Sequence, residues 1–214
     1  DASFELTRQT APIWIDRSTT GVCEELRTAF GERLQRDTGS PAIERFTGPQ
    51  IRRFYQTDPD AYARTHVIHL VSSFLCSKLI GSSAPIDFGD GAGMNLLNLR
   101  TLEWDREIAA FTAPGLAEKL PPVVPSDTVA GGLCAAFSRH GLREGTPVVV
   151  WSGDNPCSLV GTGASAPGMG VVSLGTSDTF FAAMRDFKTD PAGCGHVFGN
   201  PAGGFMSLIC FTNG

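Results

Sequence analysis

The 214-residue chain has 42% hydrophobic and 18% charged residues, which suits a globular protein with a true core and length for one sizeable domain or parts of two. Its net charge of −5, with no cluster of Lys and Arg, excludes an electrostatic footprint for nucleic acid. No apolar run reaches the roughly 18 residues of a membrane span, because the stretch from Val67 to Ile80 is interrupted by His69, Ser72, Ser73 and Lys78.

In chain order, residues 19–36 carry Val22, Leu26, Phe30 and Leu34 at helical spacing and predict one amphipathic helix. Ser18, Thr19 and Thr20 are its cap candidates, and Gly39-Ser40-Pro41 stops it. A second helical piece covers residues 49–55, and Pro59 opens a short third one. Residues 66–71 predict a strand leading into a helix that ends at Gly81. A Gly-rich turn over residues 87–93 precedes a further helix over 104–111. The three prolines of residues 121–126 predict a linker, and residues 128–140 a Gly- and Ala-containing helix.

The run Pro147-Val148-Val149-Val150-Trp151 predicts a short strand in a sheet covered on both faces. After a small-residue loop at 161–168, strands at 169–174 and 179–184 flank Gly175-Thr176-Ser177-Asp178 as a β-hairpin, and a last strand spans 205–211. Alternating strands and helices indicate an α/β architecture.

Six widely and irregularly spaced cysteines without a C-x-x-C predict buried free thiols in a reducing compartment. With Asp1, Glu5 and Arg8 in place of an apolar leader, a cytoplasmic protein is expected. The chain has no P-loop, the Gly89 to Met94 segment lacks the third glycine of a dinucleotide fingerprint, and Pro167 spoils a nucleophile elbow around Ser165. The four histidines have no metal-ligand spacing with carboxylates and are expected to be structural or at the surface.

Two constellations remain. In Val148-Val149-Val150-Trp151-Ser152-Gly153-Asp154-Asn155-Pro156 a strand delivers an acid and an amide into a turn at its carboxyl end, where open α/β sheets hold ligands. A plain Asp-Asn turn is the alternative. In the Val172 to Thr179 hairpin, a glycine and hydroxyl residues can present donors to a phosphate, unless the turn is only a turn.

Their order in the chain resembles the core of the FGGY carbohydrate kinases. The likeness extends over nearly the whole chain, through Pro12-Ile13-Trp14-Ile15-Asp16, Glu44-Arg45-Phe46-Thr47-Gly48, Leu70-Val71-Ser72-Ser73-Phe74, Pro85-Ile86-Asp87 with Asp90, and Gly93-Met94-Asn95-Leu96-Leu97. Within the family these stretches are most similar to the eukaryotic-type xylulose kinases.

The resemblance implies an actin-like, RNase-H-like fold, held here in part. Residues 1–163 would be the latter part of the sugar domain and residues 164–214 the start of the ATP domain. It implies ATP and Mg²⁺ as cofactors, D-xylulose as the sugar and D-xylulose 5-phosphate as the product, while charge and hydropathy predict no nucleic-acid or membrane partner. It assigns Asp154 as the general base, Asn155 and Arg45 as sugar contacts together with Asp154, and Gly175, Thr176 and Ser177 to the ATP phosphates. Asp87 and Asp90 are expected to be structural, because the family's base matches Asp154.

The family's first phosphate motif, its Gln-Gln-His sugar segment and its Gly-Gly adenosine segment match nothing in this chain. A fragment without activity of its own is therefore expected. A kinase for another ketose or polyol such as ribulose, or a truncated inactive sugar-binding relative, are the alternatives.

Overall fold

In the computed structural model, which describes residues 4–175 and 178–211, the first two-thirds of the chain is a helical layer and the last third an antiparallel sheet. The helices are α1 (Thr20–Phe30), α2 (Glu32–Thr38), α3 (Thr47–Thr57), α4 (Pro59–Arg64) and α5 (Val71–Ile80). Next come strand β1 (Ile86–Asp87), the short helix α6 (Phe88–Ala92), β2 (Leu97–Asn98), β3 (Glu103–Trp104), α7 (Arg106–Thr112) and β4 (Val123–Val124). Strands β5 (Val129–Gly132) and β6 (Pro147–Val149), helix α8 (Asp154–Gly161), and strands β7 (Gly170–Ser173), β8 (Asp178–Met184), β9 (His196–Gly199) and β10 (Phe205–Phe211) complete it. No helix among the described residues is long and apolar enough to cross a membrane.

The apolar stripe of residues 19–36 is real, with Val22, Leu26 and Leu34 buried, but the helix is broken at Gly31 into α1 and α2. These helices, with α3, α4 and α7, enclose the main core around Leu26, Ile51, Tyr62, Ile108 and Leu116. Asp58 and Asp105 cap α4 and α7 by accepting backbone N–H groups of the first turn. The predicted end of α5 at Gly81 holds, with that glycine in the left-handed conformation.

Several sequence expectations fail, each because a distant partner sets the local state. Residues 65–70 form a connecting segment, tied by the backbone bond from Ile68 N to Lys119 O and by Lys119 Nζ donating to Thr65 O rather than by a ladder. The supposed linker at 121–126 contains β4, which pairs in parallel with β1, and Pro121 O accepts the indole N–H of Trp104 at 2.7 Å. The Gly-rich turn at 87–93 is β1 followed by α6. Residues 128–140 hold β5 and a 3₁₀ turn rather than an α-helix. Two glycines disfavour a helix there, and Gly131 lets the strand lie on Ile80 of α5, whose Cβ would stand 3.3 Å from an added side chain.

Strand β6 does not enter a sheet covered on both faces. Among the described residues it pairs only with β5, burying Val148 and exposing Val149. The cysteines are all free, but only Cys23 and Cys76 are buried, while Cys157, Cys194 and Cys210 are exposed.

The downstream sheet has the order β7-β8-β10-β9 and is antiparallel throughout. The predicted hairpin is its β7–β8 pair, with Ser173 opposite Thr179. Phe181 and Ala183 of β8 and Met206 and Leu208 of β10 alternate with outward residues and meet Leu159 of α8 in a second core.

The edge strand β9, which no periodicity in the sequence announced, joins this sheet to the helical layer. Val197 N donates to Gly39 O at 2.9 Å, and a side chain on Gly39 would stand 2.6 Å from Val197 O. A side chain on Gly199 would lie 2.8 Å from the backbone of Phe88. Glycine at both places permits the seam.

Candidate active site

At this seam lies a cavity of about 550 Å³, lined by Trp14, Arg45, Phe46, Asp90, Asp154, Asn155, Thr179, His196 and Phe198 among others. It draws on the turn before α3, helix α6, the start of α8 and the strands β8, β9 and β10. Three of the residues assigned from sequence, Arg45, Asp154 and Asn155, therefore come together on one wall-to-wall site.

The expected turn at Gly153-Asp154-Asn155 is the first turn of α8, with Gly153 as N-cap. Pro156 is tolerated in that turn because its missing N–H would have no helical acceptor. Asp154 lines the cavity but is exposed to solvent. Its Oδ1 accepts the Asn155 backbone N–H at 2.8 Å and the Asn155 side-chain amide at 3.1 Å.

Arg45 is exposed in the turn ahead of α3 and forms no ion pair among the described residues. Its guanidinium is thus not committed to a surface salt bridge, the other role open to it. Gly175 follows β7, and its N–H donates to Asp178 Oδ1 at 3.2 Å. Gly175 is not among the cavity-lining residues, whereas Thr179 in the same hairpin is. Thr176 and Ser177 lie outside the described residues.

The two carboxylates expected to be structural part company. Asp87 is fully buried and accepts Asp90 N at 2.7 Å, capping α6, and the Ser126 hydroxyl at 2.6 Å. Asp90 faces the cavity and accepts a hydrogen bond from the Ser72 hydroxyl. Burial pushes its carboxyl up to about 6, against the pull of Ser72 and with help from the anions of Asp87 and Asp154. A perturbed carboxyl in a cavity marks a functional candidate. The glycines around it suggested a turn, and only the folding of α6 against Ser152 and Gly153 reveals its position.

His196, expected to be structural or at the surface, was not singled out from the sequence as a site residue. It is 7% exposed, lines the cavity from β9, and packs its ring on Phe46 at 5.4 Å. Burial, and then the charge of Arg45, push its pKa down to about 4. The run Gly195 to Gly199, a short apolar stretch between glycines, was the available signal for its strand.

Residues 7–161 match the model of the N-terminal domain of the FGGY family of carbohydrate kinases. The xylulose kinase of Rattus norvegicus is 45% identical over 208 residues, spanning 95% of this chain and 38% of the relative. The chain thus spans little more than a third of the length of the curated relatives it matches. Among solved structures, a "xyloylose kinase" from Brucella ovis superposes with a TM-score of 0.84 at 28% identity, covering 92% of this chain and 40% of that one. The xylulose kinase of Bifidobacterium adolescentis gives 0.88 at 21% identity, over all of this chain and 50% of that one. The mixed α/β fold is accordingly part of the actin-like fold of the sugar kinases, and the chain belongs to the FGGY family of carbohydrate kinases.

Proposed function

We propose that this chain carries the sugar pocket and part of the phosphate-facing wall of an ATP-dependent kinase that converts D-xylulose to D-xylulose 5-phosphate. The observation that carries the reading is the convergence of Asp154, Asn155 and Arg45, from segments far apart in sequence, on one cavity. The xylulose kinases among its relatives supply the sugar.

In this reading Asp154 takes the proton from the attacking sugar hydroxyl, and Arg45 and Asn155 hold neighbouring hydroxyls. Asp154 is suited to the task because it is solvent-accessible and already oriented by Asn155. Phosphoryl transfer asks chiefly for positioning and charge neutralisation, and Mg²⁺ bound with ATP supplies much of the latter. A cation that enters on nucleotide phosphates takes one or two protein carboxylates, and Asp90 and Asp154 are those lining the cavity. The Gly175-Thr176-Ser177 hairpin would face the phosphates, with Thr179 of the same hairpin reaching the cavity.

We place the division between sugar and ATP domains at residues 163 and 164. The end of the family match at residue 161 and the start of the new sheet at Gly170 support it. A cytosolic location is supported by six unpaired thiols.

The test is ADP formation by the intact gene product with ATP and Mg²⁺, in the presence of D-xylulose, D-ribulose or glycerol. Turnover highest with D-xylulose is expected. Turnover highest with another sugar would reassign the substrate, and none with any sugar would contradict the reading.

A further inference from the structure

His196, which is buried, and His69, which is partly buried, both have pKa values pushed down to about 4, yet their surroundings differ. His69 has both ring nitrogens hydrogen-bonded, to Ser73 Oγ at 3.0 Å and Ser83 Oγ at 3.1 Å. His196 Nδ1 is sealed from solvent and has no partner among the described residues. Buried polar groups in folded proteins are nearly always satisfied, and one that is not calls for an explanation. For His196 the sealed atom identifies the ring nitrogen that carries no proton, and the ring itself lines the cavity with Arg45 and Asn155.

A neutral imidazole has one N–H donor and one acceptor nitrogen. A buried N–H without an acceptor is rarer than a buried acceptor without a donor. The unpartnered, sealed Nδ1 is therefore the acceptor, and the proton sits on Nε2. This gives the ring a single donor. Its orientation is set by an aromatic cluster with Phe46 at 5.4 Å and Phe198 at 6.3 Å, and by the pairing of His196 with Leu208 across β9 and β10.

We propose that His196 is a specificity-determining residue of the sugar pocket, whose Nε2–H donates a hydrogen bond to one oxygen of the bound ketose. The proposal rests on the kinase reading above and deepens it. Burial and the adjacent Arg45 charge keep the ring neutral at physiological pH. A neutral donor suits an uncharged hydroxyl or carbonyl oxygen, whereas Arg45 in the same cavity supplies the charged donor. Because β9 belongs to the downstream sheet and Arg45 to the helical layer, the bound sugar would be held from both sides of the seam.

The experiment uses the intact gene product with ATP, D-xylulose and a series of monodeoxy analogues of xylulose. His196→Phe retains the ring packing and removes the donor. It should lower kcat/KM for D-xylulose about tenfold, through the sugar KM, and leave the KM for ATP within about twofold. One deoxy analogue should be discriminated by the wild type and accepted equally by wild type and His196→Phe. His196→Gln, which keeps an N–H near the Nε2 position, should recover part of the loss.

Unchanged kcat/KM in His196→Phe, or equal losses against every deoxy analogue, would overturn the proposal. Should His196→Phe fail to fold, the ¹⁵N spectrum of the wild type decides. An Nε2–H tautomer whose Nε2 signal moves on saturation with D-xylulose supports the assignment, and an unmoved signal refutes it. A wild type that forms no ADP with any sugar instead overturns the kinase reading itself, so the two failures are distinguishable.

Discussion

The Asp90 carboxylate lies directly against the backbone of Gly153, so that a side chain on Gly153 would begin 3.1 Å from Asp90 Oδ1. The residue before the proposed base is thus packed on a second carboxylate that is itself held by Ser72 of α5. A methyl group at Gly153 must push either Asp90 or the first turn of α8. Gly153→Ala should therefore lower turnover by about tenfold or more while changing the melting temperature little, because displacements well below 1 Å matter to phosphoryl transfer more than to folding. Equal turnover in wild type and Gly153→Ala would show that the contact does not position Asp154.

Arg45 separates sugar recognition from stability. With no ion pair among the described residues to lose, Arg45→Ala should leave the melting temperature unchanged. The KM for the sugar should rise about 10- to 100-fold, as expected on removing a charged hydrogen-bond donor, with the ATP KM little affected. A loss of stability with unchanged sugar KM would return Arg45 to a structural role.

Asp87 serves as the internal control. Its two acceptor contacts, to Asp90 N and the Ser126 hydroxyl, are buried, and an amide replaces one acceptor oxygen by a donor. Asp87→Asn should cost about 1–2 kcal/mol of stability, measured by urea unfolding. Turnover of the folded fraction should be retained. A well-folded but inactive Asp87→Asn, beside an active Asp154→Asn, would mean that the wrong carboxylate has been assigned.

The pH dependence of stability follows from His69 and His196. Both are pushed from the usual 6.5 down to about 4 by burial, so between those values the unfolded chain binds protons that the folded one excludes. Their contribution is fully present above pH 6.5 and is lost as pH falls towards 4. Asp90, pushed up from 3.8 to about 6, works in the opposite sense, its contribution fading as pH rises from 3.8 to 6. Two histidines outweigh one carboxyl, so the melting temperature should fall from pH 7 to pH 5. His69→Gln should shrink that fall. A melting temperature that holds or rises on acidification would refute the assignment.

Long periodic elements were legible without the structure: the α1–α2 stripe, α3, the end of α5 at Gly81, the β7–β8 hairpin and β10. The strand at β6 was legible from its β-branched run, but β1 to β5 and β9, of two to four residues, were not. Ile86 finds Val123, Val129 finds Val149 and His196 finds Leu208, and runs this short have no period of their own to read. The site shows the same division. Asp154, Asn155 and Arg45 stand in motifs, whereas Asp90 and His196 acquire their significance from burial and from neighbours far along the chain.

The most direct test of the account is Asp154→Asn in the intact gene product, assayed for D-xylulose-dependent ADP formation alongside its melting temperature and sugar affinity. The amide keeps the size of the side chain but cannot take the sugar's proton. Turnover should fall by about 10²- to 10⁴-fold with the fold and sugar binding retained. Turnover close to wild type, or a loss of activity matched by a loss of stability, would contradict Asp154 as the base.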